Sequence, residues 1–160
     1  MTLVSKGLSD AICFQISHEQ HNAKIYLYLA GVLKGKGMDN LAKIFEKQWL
    51  EELDHSKKFF DLLTDMGIVP FLPETPEVNT RFTNIVEIGR TFLEREIVTT
   101  QSIGALKRLA IEEDNPVVEQ VMRQMLALQQ QEYEESTSFF DKAQLLTEWW
   151  QVALWDASLK

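Results

Sequence analysis

Apolar side chains recur three and four residues apart along almost the whole chain, and no segment sustains period-two alternation. This pattern predicts four long helices and a short fifth. The first runs from about Ser5 to Lys34, where Gly35-Lys36-Gly37 interrupts it. The second runs from about Asp39 to Met66, with Gly67 placed to end it. The third runs from Ile85 to about Glu112. Asn84 precedes Glu87 by three, the spacing of a capping box. Asn115-Pro116 offers an N-cap and a first-turn proline for the fourth, which ends near Gln144. The fifth spans about Thr147 to Leu159. One domain over residues 1–160 is expected.

The connections set the topology. The first and last breaks among the long helices are short, so each helix pair should be an antiparallel hairpin. The middle link, Gly67 to Thr83, holds Pro70, Pro73 and Pro76. Extended, it reaches about 55 Å, whereas the second helix is about 42 Å long. The link can therefore cross the bundle end to end. The fold class predicted is all-α, a four-helix bundle of two hairpins joined by a long crossover.

Each helix carries an apolar seam, and each seam is interrupted at mid-height. Glu19 intrudes on the first helix, Glu52 and His55 on the second, Glu96 on the third, Gln129 and Glu132 on the fourth. Helices of equal length share one midpoint level, whichever way they run. Four carboxylates, an imidazole and an amide should converge in one layer. Burying four carboxylates together is severely unfavourable unless protons or cations neutralise them. Two divalent cations match four carboxylates. An oxygen-rich site with one imidazole suits iron or manganese. Glu52 and His55, three apart, reach the same side of their helix.

Composition narrows the function classes. The net charge of −8, from 24 acidic and 16 basic side chains, argues against nucleic-acid binding. A lone cysteine, Cys13, builds neither a disulfide framework nor a multi-cysteine metal site. Met1 to Gln15 lacks a basic flank followed by an apolar run, and no apolar run of roughly 18 residues spans a membrane. A cytoplasmic location is expected. Trp149, Trp150 and Trp155 crowd the fifth helix, and a monomer does not easily bury all three, so subunit contact is expected there.

Several stretches resemble the ferritin family, specifically its non-haem bacterial and archaeal type. Gln15-Ile16-Ser17-His18-Glu19 followed by Tyr26-Leu27 is similar to the first-helix signature, and Glu51-Glu52-Leu53-Asp54-His55 to its Glu-Glu-x-x-His. Glu96 with Thr99, Thr100 and Gln101, and Gln129-Gln130-Gln131-Glu132, resemble the third- and fourth-helix motifs. The likeness covers nearly the whole chain. It implies a ferritin-like fold, oxidation of Fe(II) by O2 or H2O2 at a di-iron centre, and iron storage in a homo-oligomeric 24-subunit shell. Bacterioferritins differ by a second Glu-x-x-His on the fourth helix and a haem-binding methionine, where this chain has Leu53, so no haem is expected.

Within that resemblance, Glu19 and His55 should bind the first iron, Glu52 should bridge, and Glu96 should bind the second. Gln129 would be a weak or water-mediated contact to the second iron. Tyr26, two turns beyond Glu19, would hydrogen-bond a ligand or donate an electron. A third iron site known in bacterial ferritins uses Glu51 and carboxylates of the fourth helix. Here Leu128 and Gln131 stand at two of those positions, leaving Glu51 and Glu132. Two alternatives stay open on the residues alone: a di-iron oxidase of an organic substrate, and a non-catalytic cage with a structural metal.

Overall fold

The structure is a computed structural model that describes residues 3–160. Five helices and no strands occur among these residues: α1 (Lys6–Gly35), α2 (Asp39–Asp65), α3 (Ile85–Glu112), α4 (Pro116–Ala143) and α5 (Trp149–Ser158). Their ends follow local chemistry. Ser5, Asn84 and Asn115 each accept a backbone N–H three residues on, satisfying a first-turn donor that the helix leaves free. Glu87 reaches back to the N–H of Thr83 at 2.8 Å instead of that of Asn84, so the expected box is shifted by one residue. At their C-termini α1 and α2 close on Gly37 and Gly67, with φ of 75° and 77°. Met38 N–H bonds Leu33 C=O and Ile68 N–H bonds Leu63 C=O, the six-to-one link of a Schellman ending. Asp114, at φ 51°, plays the same part after α3.

The α1–α2 and α3–α4 hairpins pack side by side. The crossover confirms the predicted path, because it tracks upward along α1. Ser17 donates to Glu74 C=O (3.4 Å), Lys24 to Pro76 C=O (3.2 Å) and Tyr28 to Thr80 C=O (2.7 Å). Gly89 allows the second hairpin to close tightly: a Cβ there would lie 3.2 Å from Ala143 Cβ and 3.3 Å from Phe140 Cα.

The interior is two apolar cores with a polar layer between them. The upper one contains Leu33, Phe45, Phe92, Phe139 and Val152. The lower contains Leu8, Phe59, Leu63, Met122 and Val118.

Helix α5 folds back onto the upper core, which half-buries two of its three tryptophans and leaves the third exposed. Trp155 stacks on Phe139 at 5.0 Å, and Trp149 donates to Thr83 C=O at 3.2 Å. Only Trp150 stays open, 64% exposed, beside Leu154. Asp156 fixes this docking. Its Oδ1 accepts the N–H of Leu41 at 2.7 Å, in the first turn of α2, where no side chain of α2 itself caps the helix. Asp156→Ala is expected to destabilise the fold by about 1–2 kcal/mol, the usual loss for a capping carboxylate. A lowered thermal midpoint by circular dichroism checks this; an unchanged midpoint would show that α5 docks through its rings alone.

Candidate metal centre

The polar intrusions meet as the seam spacing requires. Glu19, Glu52 and His55 place one ligand atom each within 4.8 Å of one another, and so do Glu52, Glu96 and Glu132. Glu52 belongs to both groups. The helices hold all of these side chains away from water: Glu19, Glu52 and Glu96 are fully buried, and His55 and Glu132 nearly so. His55 Nε2 lies 3.5 Å from Glu132 across the α2–α4 seam, and its Nδ1 lies 4.0 Å from Glu52.

Two partners fix Glu96. The Tyr26 hydroxyl donates to one oxygen and the Gln129 amide to the other. Gln15 donates to Glu19 at 2.9 Å. The remaining polar atoms are orphaned: Glu19 Oε2, both Glu52 oxygens, His55 Nδ1, Glu132 Oε2 and Gln48 Oε1 have no hydrogen-bond partner. Buried polar atoms are normally satisfied, so a cluster of orphans needs an explanation. An ion supplies one, since the lone pairs that lack donors are those a cation would take.

Electrostatics agrees. Burial, followed by the neighbouring carboxylates Glu19, Glu96 and Glu132, drives the Glu52 carboxyl well above its ordinary range. Burial lifts Glu132 to about 10, with Glu96 and Glu19 adding to the effect. Glu96 rises only to about 7, because the Tyr26 and Gln129 hydrogen bonds oppose its burial. Burial lowers His55, which keeps its imidazole neutral and able to ligate. Without cations the layer holds protons that it would surrender to metal. Two donor sets sharing a carboxylate suit a pair of ions, and the oxygen-rich composition with one imidazole suits iron or manganese.

The structure redistributes some expected residues. Gln129 lies beside the second group, where its amide donates to Glu96. Glu132, which its seam position puts in the central layer and the resemblance assigns with Glu51 to a third site, groups with Glu52 and Glu96. Glu51 lies outside both groups. The Lys47 ammonium sits 3.5 Å from Glu51 and 3.7 Å from Glu135, where it already neutralises that patch. The Tyr26 hydroxyl donates to Glu96, and its phenol is raised well above its ordinary range by burial and by Glu96. Sequence reasoning missed Gln48, whose Nε2 bonds Glu135 at 2.8 Å. Its position one turn before Glu52, on the seam, was the available signal.

The Ferritin family model, a ferritin-like domain, matches residues 10–146. Bacterial non-heme ferritins of Staphylococcus saprophyticus and Staphylococcus haemolyticus are 29% and 28% identical over 108 residues. The match takes in 68% of this chain and 65% of each relative, somewhat under two thirds of their length. Among solved structures, an open pore ferritin from the hyperthermophilic archaeon Archaeoglobus fulgidus superposes with a TM-score of 0.92 at 24% identity, covering 99% of this chain and 98% of that one. Chlorobium tepidum ferritin gives 0.87 at 24% identity, covering 97% and 94%. At these identities the structural likeness speaks for the fold.

Proposed function

We propose, for a chain that belongs to the ferritin family, that it is one domain of a non-haem ferritin, which oxidises Fe(II) and stores the ferric product within a shell of identical subunits. The observation that carries this reading is the pair of donor groups sharing Glu52, drawn from all four long helices and full of unpartnered oxygens.

Iron is the substrate here. Glu19, Glu52 and His55 would hold one Fe(II), and Glu52, Glu96 and Glu132 the other. Tyr26 and Gln129 orient Glu96 by donating to its two oxygens. His55 ligates as a neutral imidazole because burial disfavours its charged form. Two Fe(II) give up two electrons together, which with two protons reduce one O2 to H2O2, or reduce one H2O2 to water. Pairing the irons is what makes a two-electron step available.

The ring cluster above the layer weighs against an organic-substrate oxidase. Tyr26, Phe45, Phe92 and Phe139 pack edge to face or tilted, with centroids 5.2–6.1 Å apart, and occupy the bundle interior on that side of the layer. The exposed Trp150, Leu154 and Leu145 of the α5 region support assembly, since a patch of this kind is ordinarily covered by another subunit. Cytoplasm is the compartment that suits the free thiol of Cys13. No helix among the described residues is long and apolar enough to cross a membrane.

Aerobic Fe(II) addition followed by size-exclusion chromatography with light scattering tests the proposal. The expected product is an amber particle of roughly 24 times the 18.5 kDa subunit mass that retains iron. A colourless monomer that passes iron through unchanged refutes it.

A further inference from the structure

We propose that the groove between α1 and α3 admits the oxidant, with Gln15 as its inner gate, so that oxidant and iron reach the centre from opposite faces. This rests on the Fe(II)-oxidising reading above. The groove is open to the surface and has a volume of about 440 Å³. Its walls are apolar, with Phe14, Ala105, Leu106 and Leu109, and Gln15 and His18 also line it. Gln15 is only 4% exposed and donates to Glu19 at 2.9 Å. A single amide side chain therefore stands between the groove and an otherwise inaccessible carboxylate. Gln15 is neutral, and rotation about its terminal torsions opens the way without moving backbone.

The charge of this face decides what passes. Arg95 donates to His18 Nδ1 at 3.2 Å and to Asn22 Oδ1 at 2.7 Å. Arginine only donates, so Nδ1 must accept, and the ring proton sits on Nε2, directed at Thr99 Oγ1 at 2.6 Å. Asn22 donates to the same hydroxyl at 2.9 Å, and Thr99 donates onward to Arg95 C=O at 2.8 Å. This partly buried network joins α1 to α3 and holds one guanidinium charge behind the groove. No carboxylate lines the groove. A hydrated dication meets apolar walls backed by a positive charge, whereas a small uncharged molecule such as dioxygen meets no barrier of desolvation or charge.

The opposite face has the reverse character. The two centre residues that retain some exposure beyond about 1%, His55 and Glu132, meet across the α2–α4 seam. The half-buried Glu51 and the exposed Asp54 lie on α2 beside them. Lys47 pairs with Glu51 at 3.5 Å and Lys58 with Asp54 at 3.1 Å, so this approach is charged and polar, and its innermost groups are the ligand atoms of His55 and Glu132, in contrast to the apolar walls of the groove.

The test separates the two steps. Protein loaded anaerobically with Fe(II) is mixed with buffers of graded O2, and the initial oxidation rate is followed by stopped-flow absorbance. Ala105→Trp fills the groove from α3, and Ala11→Trp fills it from α1. Each is expected to lower the slope of rate against O2 about tenfold, as occlusion of an access route does. The anaerobic Fe(II) binding isotherm should be unchanged. Ser138→Trp, which crowds the cavity on the α2–α4 face, should leave the O2 slope intact. Repeating the series with H2O2 assigns the groove to both oxidants if the slope falls again and to O2 alone if it does not; either supports the port. An unchanged O2 slope in both groove variants, or an equal fall in Ser138→Trp, overturns it. Failure of the unaltered protein to oxidise Fe(II) overturns the functional reading on which the port rests, and the port with it.

Discussion

Replacing Glu52 with alanine is expected to lower fast Fe(II) oxidation by more than about 100-fold, since losing even an outer partner of a metal ligand costs 10–100-fold. Glu52 is the only side chain common to both donor groups, so its loss strips one donor from each iron at once. The same change should leave the metal-free fold as stable as before, or more so, at pH 8. Neither Glu52 oxygen has a hydrogen-bond partner to lose. Its burial among three carboxylates is a cost that alanine removes, and this offsets the small cavity left behind. Glu52→Gln keeps the volume and should also fail to oxidise iron rapidly. Stopped-flow oxidation and a denaturant melt on the same samples decide the matter. Native oxidation rates in both variants would place the chemistry elsewhere, and a collapsed melt would make Glu52 a structural residue.

The second large effect is a stability that runs in opposite directions with and without metal. Glu52 and Glu132 have folded-state values far above the unfolded carboxyl value, Glu132 at about 10 and Glu96 at about 7. Above the unfolded value of about 4.3 the native state holds protons that the unfolded chain releases, so each such group costs stability as pH rises. His18, lowered to about 4 by burial, works against this below about 6.5, where the unfolded imidazole is charged, and His55 and His21 act in the same sense. The loss should therefore show cleanly from pH 6.5 to 8.5. Each carboxyl still protonated contributes about 1.4 kcal/mol per pH unit there. With a redox-inert divalent ion such as Zn(II) bound, the ligands are already ionised, and proton release strengthens binding as pH rises. The thermal midpoint of the metal-free protein should fall over this window while that of the loaded protein holds or climbs. Parallel curves would mean that the layer neither stores protons nor takes metal.

The helices were legible because their ends are written in local chemistry. Gly37 and Gly67 supply the positive φ that ends α1 and α2, and Asn115-Pro116 starts α4. The layer was legible because acidic residues in an apolar seam stand out, and equal helices share a midpoint. Partner choice was not. The seam puts Glu132 inside, but which carboxylates it groups with depends on the rotation of α4, and a turn of a few tens of degrees decides it. Gln129 is a donor to Glu96 only because their side chains meet across two helices, which no spacing within one helix reveals. The His18–Arg95–Thr99 network was invisible for the same reason: His18 and Asn22 lie beside the seam of α1, where polar residues are unremarked. The tryptophans of α5 showed that three large rings in ten residues exceed what one chain buries, but not which two, Trp149 and Trp155, would half-bury against the bundle's own upper end.

The division of the interior into an upper and a lower core has a consequence for how the molecule opens. Apolar contact carries cooperativity through a protein, and here it is interrupted by a slab of carboxyls that gain little from one another. The helix backbones cross the slab, but the side-chain packing of Phe45, Phe92 and Phe139 does not reach that of Phe59 and Met122. Empty of metal, the bundle is expected to open as two partly independent units, each exchanging its amide hydrogens without waiting for the other. Ions bound between them would act as a clasp, merging two local melting events into one, and loading would alter the grain of the protein's motion as well as its charge.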